Sequence, residues 1–226
     1  MASGNKTVLI TGAAGALGQA LVHGLTQADI DCVVLDRDLR GLNKLHDELA
    51  AQGKPPLIAP VDLAGAGPDD YAELAEQLED SLGRLDGLIH AAADFAALRP
   101  FDHVPPDEWI NTLQAGLTGP FLLTQCLLPL MSRTSDSQTI WVNDDLDQVT
   151  GAYWGAYGVT QAGREALVKI LKAECKQKGI AVHGIDPGKF YSPLRSRIWP
   201  MENPAELPTP EQAAAPILEL FRKPVP

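Results

Sequence analysis

The sequence predicts one α/β domain with a doubly wound parallel sheet of about six strands and helices on both faces. Two observations predict it: strand-like and helix-like segments alternate along the 226 residues, and a glycine-rich loop joins the first strand to the first helix. Alternating strands and helices require right-handed crossovers between parallel strands. The predicted strands are 6–11, 31–36, 57–61, 85–91, 138–143 and 180–185, with helices at 16–28, 39–52, 69–82, 106–131, 152–178 and 210–222. The chain stops soon after the sixth helix, so no seventh strand is expected.

The glycine-rich loop follows the first strand directly. The β-branched run Val8–Ile10 leads into Gly12, Gly15 and Gly18, and an apolar helical pattern starts at Leu17. In this order a strand, a glycine turn and a helix can bring backbone N–H groups close to a pyrophosphate. The alternative is an ordinary strand-to-helix turn.

A carboxylate ends the second predicted strand. Asp36 stands about 20 residues beyond the glycines, where it can accept hydrogen bonds from both ribose hydroxyls of an adenosine. Asp36 therefore favours NAD over NADP. Two alternatives stay open, because Asp36 could cap the helix that starts at Leu39, and Arg37 or Arg40 could pair with a 2′-phosphate.

Bulk properties exclude several classes of function. The formal net charge of −11 argues against nucleic acid or an anionic membrane surface as partner. No apolar run is long enough to span a bilayer, and the first residues lack a signal-peptide apolar region. The three cysteines, Cys32, Cys126 and Cys175, lack metal-ligand spacing and indicate free thiols in a reducing compartment. We therefore expect a cytoplasmic protein.

A proline-rich segment at 187–210 interrupts the alternation before the last helix. Long loops in compact domains are usually functional, so a substrate lid is one interpretation. A flexible connection to the final helix is the other.

Five motifs together resemble the short-chain dehydrogenase/reductase family over essentially the whole chain. They are the loop Thr11–Gly18 with Ala16 at its middle glycine position, the pair Asp62-Leu63, the long helix from Trp109 to Met131, the motif Asp186-Pro187-Gly188, and Tyr157. The resemblance implies a Rossmann-type sheet, a nicotinamide dinucleotide and oxidoreductase chemistry. It assigns cofactor contacts to Gly12, Gly15, Leu17, Gly18, Asp36, Asp62, Leu63, Ala91, Ala92, Pro187 and Gly188.

The family's catalytic residues are mostly replaced. The resemblance implies four residues that act together: a tyrosine that moves the proton, a lysine that lowers its pKa and holds the nicotinamide ribose, a serine and an asparagine. Tyr157 is present, but Gln161, Asp144 and Gly116 stand at the lysine, serine and asparagine positions, and Ala93 replaces a turn glycine. A carboxylate beside a tyrosine raises its pKa, and a neutral amide does not lower it.

These replacements predict a damaged or repurposed site with weak or no turnover. The alternative is an active NAD(P)-dependent oxidoreductase on a small carbonyl or alcohol, in which Tyr157 works with unusual partners. Lys169 lies three helical turns beyond Tyr157, too far to pair with it. Lys189 could swing into the cleft or be solvated, and His90 could contact a cofactor or be a hydrogen-bonded strand-end residue. A third alternative is that the dinucleotide site itself is lost.

No metal site is predicted. Asp144, Asp145 and Asp147 could suit a hard cation, but a solvated acidic loop is the commoner arrangement. Trp154 could line a substrate cleft or belong to the core.

Two predictions concern binding. In the family, the helices that correspond to 106–131 and 152–178 form the interface, and here they carry apolar residues beyond one inward stripe. We therefore expect a homodimer built on a four-helix bundle. We also expect dinucleotide binding weaker than in active relatives, because Gln161 lacks the lysine's charge.

Overall fold

One parallel sheet of six strands organises the protein. The computed structural model describes residues 5–222, and the strand order is β3-β2-β1-β4-β5-β6. The strands are β1 (Thr7–Thr11), β2 (Asp31–Asp36), β3 (Leu57–Pro60), β4 (Gly87–His90), β5 (Gln138–Val142) and β6 (Ala181–Ile185). The predicted fold class and all six predicted strands are confirmed, and residues 5–222 contain no seventh strand.

The helices cover both faces of the sheet, as expected for a doubly wound fold. They are α1 (Ala16–Gln27), α2 (Leu39–Ala50), α3 (Pro68–Leu82), α4 (Pro106–Leu113), α5 (Gly119–Met131), α6 (Leu146–Val149), α7 (Gly155–Cys175), α8 (Pro193–Ile198) and α9 (Pro210–Arg222). Single 3₁₀ turns occur at Phe101–His103, Lys176–Lys178 and Pro204–Glu206. The six predicted helices are present, and the short helices α6 and α8 were not predicted.

Two apolar cores lie on opposite faces of the sheet. On one face, α1, α2 and α9 pack on the strands through residues such as Leu21, Leu45 and Ile217. On the other face, α3, α5 and α7 contribute residues such as Leu78 and Leu127. Because side chains alternate along each central strand, both faces of the sheet are buried.

Two predicted helices differ in detail from the observed ones. The helix predicted at 106–131 contains a π-helical turn at Gln114–Thr118 between α4 and α5. The helix predicted from residue 152 begins at Gly155, because Tyr153 adopts a positive φ angle of 77° that a right-handed helix excludes.

The proline-rich segment is more ordered than a loop. Ser192 accepts a hydrogen bond from the Arg195 backbone N–H, and Pro193 occupies the first helical position of α8. Ser192 and Pro193 are therefore a matched cap and first residue. In the described part of the chain, no helix is both long enough and apolar enough to cross a membrane.

Candidate functional site

A cavity of about 640 Å³ opens at the carboxyl ends of the strands. It lies where the strand order reverses between β1 and β4, which is the general ligand position in open α/β sheets. The residues predicted to contact a cofactor share this cavity: Gly12, Gly15, Leu17, Gly18, Asp36, Asp62, Leu63, Ala91, Ala92, Pro187 and Gly188 all line it. Tyr157, Asp144 and Gln161 line it too.

The glycine-rich loop has the geometry of an anion cradle. Gly12 adopts φ 70°, and a Cβ there would lie 2.7 Å from the backbone of Ala92. Helix α1 starts at Ala16, and its N-cap residue Gly15 has no side chain that could cap the first backbone N–H groups. Its first N–H groups are thus available to a ligand in the cavity, which fits a pyrophosphate.

Asp36 is held by the backbone around it. Its Oδ2 accepts from the Ala14 N–H at 3.1 Å, and its Oδ1 accepts from the Asp38 N–H at 3.0 Å. The cap of α2 is Asp38, whose side chain accepts from the Gly41 N–H, so the helix-cap alternative for Asp36 is wrong. The next side chain, Arg37, is 61% exposed.

Tyr157 meets a carboxylate instead of a cation. Its hydroxyl donates to Asp144 Oδ2 at 3.0 Å, and the Asp144 N–H donates to Gln161 Oε1 at 3.2 Å. The other Asp144 oxygen, Oδ1, accepts from the Asp145 N–H. Asp144 and Gln161, at the positions of the expected serine and lysine, are therefore linked to Tyr157 in one chain of hydrogen bonds.

This arrangement stabilises the protonated tyrosine. Burial raises the pKa of Tyr157 well above its ordinary value, and the charge and hydrogen bond of Asp144 raise it further. Burial also raises the pKa of Asp144, partly offset by the hydrogen bond from Tyr157. The phenol therefore keeps its proton near neutral pH.

Sequence reasoning missed Arg164. This side chain is 1% exposed and lines the same cavity. One Nη donates to the His90 carbonyl at 3.0 Å, and the guanidinium lies 5.7 Å from the centre of the Trp141 ring. A signal was available, because Arg164 follows Gln161 by three residues and Tyr157 by seven, which places all three on one face of a helix.

His90 is a structural residue. It is fully buried, its ring centre lies 4.2 Å from that of Trp141 with the rings tilted by 43°, and its Nε2 lies 2.8 Å from the Thr124 hydroxyl. Since the Thr124 hydroxyl donates to the Pro120 carbonyl, His90 Nε2 is the donor in this pair. Burial lowers the pKa of His90 well below its usual value, so the ring is neutral. Of the two alternatives, the hydrogen-bonded strand-end residue is the observed one.

The comparison with known families decides the classification. Residues 6–203 match the family model described as short chain dehydrogenase. The chain belongs to the short-chain dehydrogenase family.

Relatives in this family match the chain over most of its length. The uncharacterised oxidoreductase YciK of Escherichia coli is 25% identical over 91% of this chain and 82% of its own. A short-chain dehydrogenase structure from Pseudomonas syringae superposes with a TM-score of 0.91 at 31% identity, over 96% of this chain and 88% of that one. A Shigella flexneri structure complexed with NADP matches at a TM-score of 0.91 and 25% identity, over 96% and 90% of the two chains. An Escherichia coli structure complexed with NADPH gives the same values.

Gly116, where the sequence resemblance implies an asparagine, has little room for a larger side chain. Gly116 is buried, does not line the cavity, and a Cβ there would lie 3.0–3.1 Å from the Thr160 side chain. Thr160 thus occupies the room that a larger side chain at 116 would need.

The alternative lysines do not supply a cation to Tyr157 in this structure. Lys169 lies on the surface and pairs with Glu165, and Lys189 is an exposed residue at the edge of the cavity. The three cysteines are free thiols, and residues 5–222 contain no cluster of ligands that could hold a metal ion.

The far end of the cavity has an aromatic wall that includes part of the proline-rich segment. Trp154 packs against Tyr157, Phe95 and Trp199 with ring centres 5.5–6.3 Å apart. Trp154 lines the cavity and also belongs to a small apolar core. Arg195 on α8 forms a two-point ion pair with Glu202.

Proposed function

We propose that this short-chain dehydrogenase binds a nicotinamide dinucleotide and has weak or no oxidoreductase turnover. One observation carries the proposal: the Tyr157 hydroxyl donates a hydrogen bond to Asp144 at 3.0 Å, with neutral Gln161 at the position of the expected lysine. A bound dinucleotide would supply hydride transfer, and the chain would have to supply the proton.

The proton step is the weak point of this site. To protonate a substrate oxygen, the Tyr157 hydroxyl must leave Asp144 and form a buried tyrosinate next to a carboxylate. Burial and the Asp144 charge both disfavour the tyrosinate, and they therefore raise the pKa of Tyr157. Catalytic groups that act as a unit lose orders of magnitude in rate when members are removed.

The preferred dinucleotide is proposed to be NADP(H), a change from the sequence prediction of NAD. Two structural relatives at 25% identity are complexed with NADP and NADPH. In this chain each Asp36 oxygen already accepts a hydrogen bond from a backbone N–H. The exposed Arg37 guanidinium borders the cavity, where it could bind a 2′-phosphate. Calorimetric titration with the oxidised and reduced forms of both dinucleotides tests this choice, and Arg37→Ala should weaken NADP binding more than NAD binding.

Steady-state cofactor oxidation on a panel of carbonyl substrates tests the lack of turnover. We expect saturable dinucleotide binding together with a rate no higher than that of Tyr157→Phe. A robust rate that collapses in Tyr157→Phe would show that the alternative, an active oxidoreductase with unusual partners, is the right one.

The homodimer is proposed through a second copy of the chain on helices α4, α5 and α7. These helices expose large apolar side chains on the outside of the fold, namely Ile110 (62% exposed), Phe121 (42%), Val159 (46%) and Ile170 (52%). Isolated exposed apolar residues are common, but several on adjacent helices suit a self-complementary interface. A monodisperse monomer in light scattering at micromolar concentration would contradict the proposal.

A further inference from the structure

Arg164 is a buried charge without a buried counter-charge. It lies on α7 with 1% exposure, and within residues 5–222 no carboxylate comes within 4 Å of its guanidinium. Its hydrogen-bond partners are the carbonyl oxygens of His90, at 3.0 Å, and Ala92, at 3.5 Å. A buried cation costs several kcal/mol unless it is paired, so a purely structural clamp for two carbonyls is an expensive use of an arginine.

The donors of Arg164 are only partly used. Arginine has five N–H groups, and here Nε is buried without any partner. The Nδ1 atom of the neighbouring His90 is likewise buried and unpartnered. Burial lowers the pKa of Arg164 to about 10, so the group is still charged near neutral pH. A charged, incompletely bonded guanidinium at the wall of a cavity is a binding group for oxygen atoms of a ligand.

The position of Arg164 along the sheet edge identifies which part of a ligand it would meet. Asp36 ends β2 and Gly12 follows β1, so the adenosine and pyrophosphate end of the cavity lies on that side. The carbonyls that Arg164 contacts end or follow β4, and Tyr157 and Asp144 lie beside them at the β5 side. Arg164 is thus on the opposite side of the glycine-rich loop from the adenosine end.

We propose that Arg164 binds the inner half of the dinucleotide, donating N–H groups to the hydroxyls of the ribose that carries the nicotinamide. This inference rests on the proposed dinucleotide binding. Arg164 would then supply the cation that Gln161 lacks at the lysine position. It lies three residues further along α7, on the same face of the helix. Arg164 does not make Tyr157 a base, because burial and Asp144 outweigh the guanidinium in setting the pKa of that phenol.

The test is calorimetric and needs no turnover. In Arg164→Gln, the amide keeps donors for the two carbonyls and removes the charge. We expect its Kd for the intact dinucleotide to rise about tenfold or more, because a hydrogen bond from a charged donor is lost. Its Kd for 2′,5′-ADP, which lacks the whole nicotinamide mononucleotide half, should change less than about twofold. The matched control is Lys169→Gln, an exposed cation on the same helix, which should leave both Kd values unchanged.

A rescue variant separates binding from structural support. Gln161→Lys combined with Arg164→Gln returns a cation one turn earlier, and it should recover most of the lost affinity for the intact dinucleotide. If Arg164→Gln alone does not fold, the double variant is titrated in its place.

Each other outcome is decisive. Equal loss of affinity for the dinucleotide and for 2′,5′-ADP would show that Arg164 only supports the turn after β4, and would overturn the inference. So would an unchanged Kd in Arg164→Gln, or a folded double variant that binds as weakly as the single one. If the wild-type protein binds neither dinucleotide, the proposed function fails together with the inference.

Discussion

A lysine at position 161 should destabilise the fold while Arg164 is present, because the two cations repel each other. Gln161 is 2% exposed and Arg164 is 1% exposed, so a charge at either position is largely buried. Side chains three residues apart on a helix have Cβ atoms about 5–6 Å apart. Two unit charges about 6 Å apart, at an effective dielectric constant of about 20, repel by about 3 kcal/mol. Gln161→Lys should therefore lower the free energy of unfolding strongly when Arg164 is present.

A double-mutant cycle in urea at pH 7 measures this repulsion. The four proteins are the wild type, Gln161→Lys, Arg164→Gln and the double variant. We expect the cost of Gln161→Lys to be smaller by about 3 kcal/mol in the Arg164→Gln background. Gln161→Met, which adds no charge, should show no such coupling with Arg164→Gln. A coupling energy within about 0.5 kcal/mol of zero for the lysine cycle would refute the claim that Arg164 occupies the charge position of this site.

Three further predictions follow from the same geometry. Gly12→Ala should lower the free energy of unfolding in urea by about 1–3 kcal/mol and weaken dinucleotide binding, because the φ of Gly12 is 70° and a Cβ there would lie 2.7 Å from the Ala92 backbone. The control Gly53→Ala should cost less, because Gly53 has a similar φ of 77° but open space around it. Asp144→Asn should become more stable relative to wild type as the pH rises. The pKa of Asp144 is raised in the folded state, so its carboxyl contributes stability at low pH that the wild type loses as the pH rises through that pKa. A difference in melting temperature between the two proteins that is the same at pH 4 and pH 7 would contradict this prediction. Asp144→Ser with Gln161→Lys and Arg164→Gln should show carbonyl reduction above the wild-type background in steady-state assays, because the hydroxyl and the cation that the family uses are then both present without like-charge repulsion.

The fold was predictable because its signals are local and repeated. The β-branched run at Val8–Ile10, the alternation of segments and the glycine spacing all point to one architecture, and the structure has it. The exceptions depend on single backbone angles: Tyr153 at φ 77° delays the start of α7, which no periodicity in the sequence indicates. Helix α8 within the proline-rich segment was not predicted either, although Ser192 and Pro193 form its cap and first helical residue in the structure.

The site was predictable only where its residues occupy expected positions. The glycine-rich loop, Asp36 and Tyr157 were found in this way, and they line one cavity. Arg164 was missed because an arginine beside Glu165 on a helix is usually solvated, and its burial depends on how α7 packs against the turn after β4. The closure of position 116 by Thr160 is likewise a tertiary contact between two helical segments, so it has no local signature.

The central claim is that Tyr157 keeps its proton near neutral pH, and the absorbance of ionised tyrosine measures this directly. The wild type and Tyr157→Phe are titrated from pH 6 to pH 11 without cofactor, and the difference between the two curves reports Tyr157 alone. We predict that the two curves coincide below about pH 10, the ordinary pKa of tyrosine, since burial and Asp144 raise the pKa of this residue. A tyrosinate that forms below about pH 8 in the wild type and is lost in Tyr157→Phe would contradict the account.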